Sequence, residues 1–368
     1  MTRQYRVGAV GFAHMHINHL LDRFAELPNV EWVACADTVP AVRSMTDRRT
    51  TRAHNLKRAQ DVIGIPRVYA DYREMLERET LDIVVFCPEN DQHPEVAEAL
   101  AARGVHMVTE KPMAADLPGA LRMARAALTH DVKLLVNWPT TWRPAIRMVR
   151  KLIEEGAIGE VWEVKWRNGA SRGPMTYGPV PLTGPEKASE WWHQSATGGG
   201  ALLDYCCYGA CLARWYVGVP AAAAMALKAN FASQYGDADD NAVITVRFPK
   251  AMAILEGSWS TAAAGVPTGP IVYGTEGTIV VTSKQLEVYT ASKNPGEPDR
   301  IVEPDPLPQG RETVAEEFIH HIETGEAMHP TLDIIQNLDV MAILDAGIRS
   351  AASGKLEFVN NAARCIGQ

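Results

Sequence analysis

The sequence predicts an α/β chain, with a doubly wound parallel sheet first and an α+β part built on a mostly antiparallel open sheet second. Three observations carry this. Through residues 1–137 short apolar runs alternate with segments of helical period. From residue 138 onward two-residue alternation takes over. A chain of 368 residues has room for two domains, each with its own core.

Taken in order, Tyr5 to Val10 is a strand ending at Gly11, followed by a helix with Ile17, Leu20, Leu21 and Phe24 on one face. A second strand, Val30 to Ala36, ends in Asp37. Val68-Tyr69 is a short strand, and Asp71 is a candidate N-cap for a helix to Leu76. Asp82 to Cys87 carries Ile83, Val84, Val85 and Phe86 in a row, as suits a strand buried on both faces, and runs into Pro88-Glu89-Asn90. Helices over Gln92 to Arg103 and Leu117 to Thr129 flank a strand at Val105 to Val108, and a sixth strand spans Val132 to Val136.

In the second part, Pro144 to Glu155 is a helix closed by Gly156. Glu160 to Arg167 alternates as a half-exposed antiparallel strand. Asn241 to Phe248, Met252 to Trp259, Pro270 to Tyr273, Thr278 to Val281 and Gln285 to Thr290 follow as strands. Gly169 to Ser189, rich in Gly and Pro, is expected to be an ordered loop covering a site. Asn294 to Pro308 is expected as surface loop, and Glu312 to Glu323 and an amphipathic Leu332 to Ser353 as helices. The last helix is placed against the first domain. The domain boundary falls between 137 and 138.

The net charge is −8, with 22% charged residues and no Lys/Arg run, which argues against nucleic acid and anionic membranes as partners. No apolar run approaches the roughly 20 residues of a bilayer span, and Met1 to Arg6 leads straight into a strand without a signal-peptide pattern. The six cysteines show neither a disulfide framework nor a zinc spacing, so a reduced cytoplasmic setting is expected. His14-x-His16 has no third ligand nearby in sequence, and no metal site is expected.

Two constellations carry chemistry. The first β-α-β unit ends its second strand in Asp37, as in folds where a helix N-terminus holds a pyrophosphate and the carboxylate holds the ribose hydroxyls. A carboxylate there repels a 2′-phosphate and argues for NAD over NADP, with Arg43 a counterweight. The glycine fingerprint is reduced to Gly11, since Ala13 and His16 stand where glycines are usual. His14 or His16 is expected to reach the pyrophosphate or the nicotinamide side. Thr109-Glu110-Lys111-Pro112 follows the fifth strand, so Lys111 is aimed at the crevice where such sheets bind ligands. Partly desolvated there, its pKa is expected to fall towards neutrality. In the second part, Gly198-Gly199-Gly200 precedes a helical segment in which Asp204 and Tyr208 share a face and act together on a substrate proton.

Glu110-Lys111-Pro112, followed at a distance by the glycine triplet and Asp204, resembles the Gfo/Idh/MocA oxidoreductases. Trp142-Arg143-Pro144 and Gly156-x-x-Gly159 extend the resemblance over nearly the whole chain. It implies a Rossmann domain and an open-sheet α/β domain that often packs on another subunit, hence a homodimer or homotetramer. It implies catalysis by Lys111 near the nicotinamide, with Asp204 as partner and Tyr208 where a His is common. The cofactor candidates are Gly11, Phe12, Ala13, His14, Met15, Asp37, Cys87, Pro88, Glu89, Asn90, His93, Glu110 and Lys111. The substrate candidates are Lys111, Arg172, Trp192, His193, Asp204 and Tyr208, with Trp192 stacking on a sugar and His193 bonding hydroxyls. The reaction expected is NAD-dependent hydride transfer at a hydroxyl carbon of a sugar, polyol or cyclitol. Two alternatives stand beside it: a glycosidase or lyase that oxidises its sugar transiently, and a non-catalytic nucleotide sensor.

Overall fold

The computed structural model describes residues 3–169, 182–261, 268–283, 285–290 and 296–361. Arg172 and Cys365 lie outside them. The first domain runs β1 (Tyr5–Phe12), α1 (Ile17–Ala25), β2 (Val30–Ala36), α2 (Arg52–Asp61), β3 (Arg67–Tyr69), α3 (Tyr72–Arg78), β4 (Ile83–Cys87), α4 (His93–Ala101), β5 (His106–Glu110), α5 (Leu117–Thr129) and β6 (Leu134–Asn137). Its strands are parallel, in the order β3-β2-β1-β4-β5-β6. This is the doubly wound arrangement expected, and every residue of β4 is buried. Asp71 caps α3 by accepting from Arg73 N, and Asp116 caps α5 by accepting from Gly119 N. The helix α2 has no counterpart in the apolar pattern because only Asn55 and Ala59 are buried on it; its cap, Thr51, was the available signal.

The second domain runs α6 (Pro144–Glu154), β7 (Val161–Gly169), α7 (Gly184–Ala188), α8 (Cys207–Val217), β8 (Ala223–Ala229), β9 (Asn241–Arg247), β10 (Met252–Ser258), β11 (Ile271–Gly274), β12 (Gly277–Val281), β13 (Leu286–Thr290), β14 (Arg300–Val302), α9 (Val314–Thr324), α10 (Ile334–Ser353) and β15 (Glu357–Phe358). The sheet order among the described residues is β14-β13-β12-β11-β7-β10-β9-β8-β15. Every described pairing is antiparallel except β7 with β10, which is parallel. Alternation reports which face is buried and not which way a neighbour runs, so the expectation of a purely antiparallel β7 fails on that side. The Asn294 to Pro308 stretch holds the edge strand β14. The part of the 169–189 segment that is described includes the short helix α7, capped by Thr183.

Among the elements that bind the domains together, two stand out. The helix α10 packs on β8 and α8 of its own domain and on α5 and β6 of the first. It is therefore buried nearly all round, and the amphipathic pattern expected for it gives way to a stripe interrupted by buried Gln336, Asn337 and Asp339. Each of these is satisfied: Gln336 donates to Cys211 O, Asn337 accepts from Trp138 Nε1, and Asp339 pairs with Arg214 at 2.7 Å. The second element is the glycine triplet. Gly198 has φ +78°, and a Cβ there would lie 2.7 Å from Cβ atoms of Ala115 and Asn90 in the first domain. The triplet thus lets the chain's own backbone pass closely, which is the room the sequence had left for a turn or a ligand.

Gly11 shows the same constraint at the end of β1. Its φ is +73°, and a Cβ would lie 2.5 Å from Pro88 N in the turn after β4. Gly11→Ala is expected to lower stability by about 1–3 kcal/mol through backbone strain alone, with the Pro88 clash added, measured as a shift in the urea midpoint at unchanged slope.

Candidate active site

Lys111 stands just past β5, at the carboxyl edge of the parallel sheet, and its side chain is 1% exposed. The ammonium lies 2.7 Å from Asp204 Oδ1 and 3.0 Å from the Asp204 main-chain carbonyl. It also sits over the Tyr208 ring, 4.6 Å from the centroid. A residue of each domain therefore meets at one point. Asp204 and Tyr205 lie in a π-type turn, Leu202–Cys206, that opens into α8. Such turns recur at functional sites. This turn is fixed by Asp239, whose Oδ2 accepts from Leu202 N at 2.8 Å. The second Asp204 oxygen accepts from Trp259 Nε1 at 3.1 Å.

The pairing corrects two expectations. Asp204 bonds Lys111 and Trp259, and no Asp204–Tyr208 hydrogen bond occurs. Burial alone would lower the Lys111 pKa, but Asp204, with Tyr208 and Cys207, outweighs it and holds the ammonium well above its usual 10.5. The group is a fixed cation, not one that titrates near neutrality. Burial likewise pushes the Tyr208 phenol up, partly opposed by Lys111. The ring is held between Trp138, edge-on at 5.7 Å, and Trp166, stacked at 6.1 Å.

Glu110 is buried and accepts from Asn137 Nδ2 and from His16 Nδ1, the latter at 3.1 Å. Burial would raise its pKa; His16, Asn137 and Lys111 together bring it below the usual value. Asn137 in turn accepts from Trp142 Nε1 at 2.8 Å. His93 donates from Nδ1 to Met113 O, which pins the turn after Lys111, and burial brings its pKa down to about 4. The Lys111-Pro112 peptide is cis.

At the other end of the crevice, Asp37 Oδ1 accepts from Phe12 N and Thr38 N and pairs with Arg52 at 2.8 Å. Arg52 also pairs with Glu89 at 2.5 Å. Asn90 donates to Gly198 O, across the domain seam. His14 Nδ1 accepts from His16 N, which places the ring proton on Nε2, and burial keeps the imidazole neutral. Cys87, Pro88 and Met15 contribute backbone and packing: Cys87 O accepts from His14 N, and Met15 packs beside Ala13.

Trp192 and His193, expected to meet a sugar, are 2% and 3% exposed. Trp192 stacks on Trp191 and meets His14 edge-on, and His193 lies against Trp259 and Tyr235. Trp191 donates to Ala13 O at 3.0 Å. Each keeps one buried polar atom without a protein partner, Trp192 Nε1 and His193 Nε2, so packing does not account for either side chain in full. The residues missed by sequence reasoning are Arg52, Asn137, Asp239 and Trp259. Only Arg52 had a local signal, its position after a capping threonine.

The donor set fits a dinucleotide. Thr38 Oγ1, Glu89 Oε2, Asn90 Oδ1 and His14 Nε2 are buried without protein partners, all at the carboxyl ends of β1, β2 and β4. Beside Asp37 lies a cleft of about 260 Å³ lined by Thr38, Val39, Tyr72 and Gln92, on the side where the second strand's carboxylate meets an adenosine.

Comparison with known proteins agrees. Residues 5–138 match the model of an oxidoreductase family with an NAD-binding Rossmann fold, and residues 146–280 match a GFO/IDH/MocA C-terminal domain. A D-apiose dehydrogenase of Paraburkholderia graminis is 29% identical over 43% of this chain and 38% of its own. A levoglucosan dehydrogenase of Pseudarthrobacter phenanthrenivorans is 27% identical over 58% of this chain and 51% of its own. The match thus spans 38% and 51% of the length of these two relatives. A myo-inositol 2-dehydrogenase of Thermotoga maritima is 24% identical over 75% of this chain and 79% of its own. Among solved structures, an aldose-aldose oxidoreductase of Caulobacter crescentus complexed with glycerol superposes with a TM-score of 0.76 at 21% identity, covering 97% of this chain and 100% of its own. Levoglucosan dehydrogenase with NADH and levoglucosan gives 0.74 at 22%, with 97% and 100% covered. These two likenesses establish the fold.

The ion pair generates a prediction. Lys111 has a folded pKa above its unfolded one, so its stabilisation is present below pH 10.5 and is lost as pH rises through the folded value. Asp204→Asn leaves a buried ammonium without its counterion. It is expected to cost about 3–5 kcal/mol at pH 7, read by denaturant unfolding, with the loss shrinking above the wild-type transition.

Proposed function

Because this chain belongs to the Gfo/Idh/MocA oxidoreductase family, we propose that it is an NAD-dependent dehydrogenase that transfers a hydride between nicotinamide and a hydroxyl carbon of a sugar, polyol or cyclitol. The observation that carries the reading is the 2.7 Å pairing of Lys111 with Asp204 across the domain seam, at the carboxyl edge of the parallel sheet. Bound NAD supplies the hydride acceptor. The loop Gly11, Phe12, Ala13, His14 and Met15 and the Cys87–Asn90 turn would border it, and Asp37 would hold the ribose hydroxyls. The dehydrogenases of apiose, levoglucosan and inositol among the relatives support a polyhydroxylated substrate.

The protein's own contribution is charge and alignment. An ammonium has three N–H donors, and Asp204 takes two of those on Lys111. The third is left for a substrate oxygen. A cation so desolvated stabilises an alkoxide far more than one in water. Trp259 holds Asp204 and so fixes where Lys111 points. The Tyr208 hydroxyl makes no hydrogen bond to protein among the described residues and is the second donor available to that oxygen. In the reducing direction Lys111 or Tyr208 gives the new alkoxide its proton. In the oxidising direction one of them must first be deprotonated, which the buried pair resists.

The outer face of the second sheet exposes Trp162, Met225, Leu227 and Met252. A second copy covering that face, giving a homodimer or homotetramer, is part of the proposal. The five described cysteines are buried and free, which supports a reducing compartment. Among the described residues no helix is long and apolar enough to cross a membrane.

A screen of sugars and inositols, following NADH at 340 nm, tests the activity. Lys111→Met is expected to lower turnover by about 10²–10³-fold while NADH binding persists; unchanged turnover would remove Lys111 from the chemistry. The pH dependence should be one-sided. Oxidation accelerates from pH 7 towards 10, whereas reduction stays flat, because both candidate donors hold their protons throughout that range. A bell centred near neutrality would contradict the fixed-cation assignment.

A further inference from the structure

We propose that Arg52 is the residue that binds the cofactor's diphosphate, taking over from the backbone amides that a glycine-rich loop would supply. The inference rests on the dinucleotide reading above and adds to it a ligand that the fold does not normally use.

The loop after β1 has few amides to give. Phe12 N donates to Asp37 Oδ1 at 3.0 Å, His14 N to Cys87 O at 3.1 Å, and His16 N to His14 Nδ1 at 3.0 Å. Ile17 N donates to His14 O at 3.1 Å. The outer side of the loop is closed by Trp191, which is 5% exposed and bonded to Ala13 O. Among the described residues only the amides of Ala13 and Met15 in this loop carry no hydrogen bond, so a diphosphate arriving at the start of α1 meets fewer free donors than this fold ordinarily offers.

Arg52 occupies the same place with a charge. Its guanidinium pairs with Asp37, directly after β2, and with Glu89, two residues after β4. It donates to Thr38 O at 2.7 Å as well. The strands β2 and β4 are the two neighbours of β1. The guanidinium thus spans the carboxyl end of β1, which is where a dinucleotide crosses such a sheet. Its planar fork matches phosphate oxygens in pairs. The side chain is 12% exposed and Glu89 2%, so the site is built, not a surface arginine at rest. Glu89 binds Arg52 through one oxygen, and its other oxygen is buried without a partner. The two carboxylates hold the guanidinium in position. Asp37, Thr38 O and Glu89 take three of the five guanidinium N–H groups, and the other two are left for phosphate oxygens with the Glu89 pair intact.

The test compares ligands with and without the diphosphate on the full chain, by quenching of tryptophan fluorescence and by competition. NADH, ADP-ribose and adenosine are titrated against wild type, Arg52→Gln and Arg52→Lys. Arg52→Gln is expected to weaken NADH and ADP-ribose about tenfold or more, with adenosine unchanged within about twofold and Arg52→Lys recovering part of the loss. In wild type, rising NaCl should weaken NADH and leave adenosine level, a measurement that does not depend on any variant folding. Equal NADH affinity in Arg52→Gln and wild type overturns the proposal alone. So does an equal loss for adenosine, since Arg52 would then act only by shaping Asp37. If wild type binds none of the three, the dinucleotide reading falls and this proposal falls with it.

Discussion

The Lys111–Asp204 pair is the constraint on which the rest depends. An ammonium that is 1% exposed is untenable without a counterion, and the counterion comes from the other domain. The two domains are thereby fixed to within a hydrogen bond of one another. Several features make sense as consequences. The glycine triplet lets the second domain's backbone reach Asn90 and Ala115. Asp239 and Trp259 hold the turn that carries Asp204. The helix α10 fills the angle between the domains and satisfies Trp138 through Asn337. Each reduces the freedom of one carboxylate relative to one ammonium.

Much of this was legible because the physics is local. Unbroken apolar runs such as Ile83 to Phe86 report burial on both faces, so the parallel sheet and its order of strands and helices follow from the sequence. The glutamate-lysine-proline turn and the glycine-aspartate segment mark the two halves of the site. What could not be read were facts set by distant partners. The sign of the Lys111 shift is decided by a residue 93 positions away. The direction of the β7–β10 pairing leaves no trace in alternation. Gln336, Asn337 and Asp339 give α10 a polar stripe that looks solvent-facing until its partners on Cys211, Trp138 and Arg214 are known. The polar helix α2 was missed for the converse reason, since almost nothing on it is buried.

The degraded glycine fingerprint is compensated by packing as well as by charge. Ala13 and His14 are covered by Trp191 and Trp192, so the loop after β1 is held from above by the second domain instead of being left open to solvent. Gly11 survives because Pro88 leaves no room for a Cβ. The surviving glycine is therefore explained by the chain's own turn after β4, and it would be needed whether or not a phosphate lay nearby.

The histidines show what kind of electrostatics the site uses. His14 and His93 are buried and neutral, each with one ring nitrogen committed to the backbone. They set loop geometry and add no charge. Glu110 is ionised and is bonded by His16 and Asn137. Around the reacting position this leaves one fixed cation, its carboxylate, and a phenol that resists ionisation. Such a site does not rely on a base poised near pH 7. On the proposed function it orients a hydroxyl against a permanent charge, and the direction of hydride flow sets the proton's destination. A low-dielectric seam between two domains is a favourable place for that arrangement, because the field of a single ammonium there is not averaged away by water.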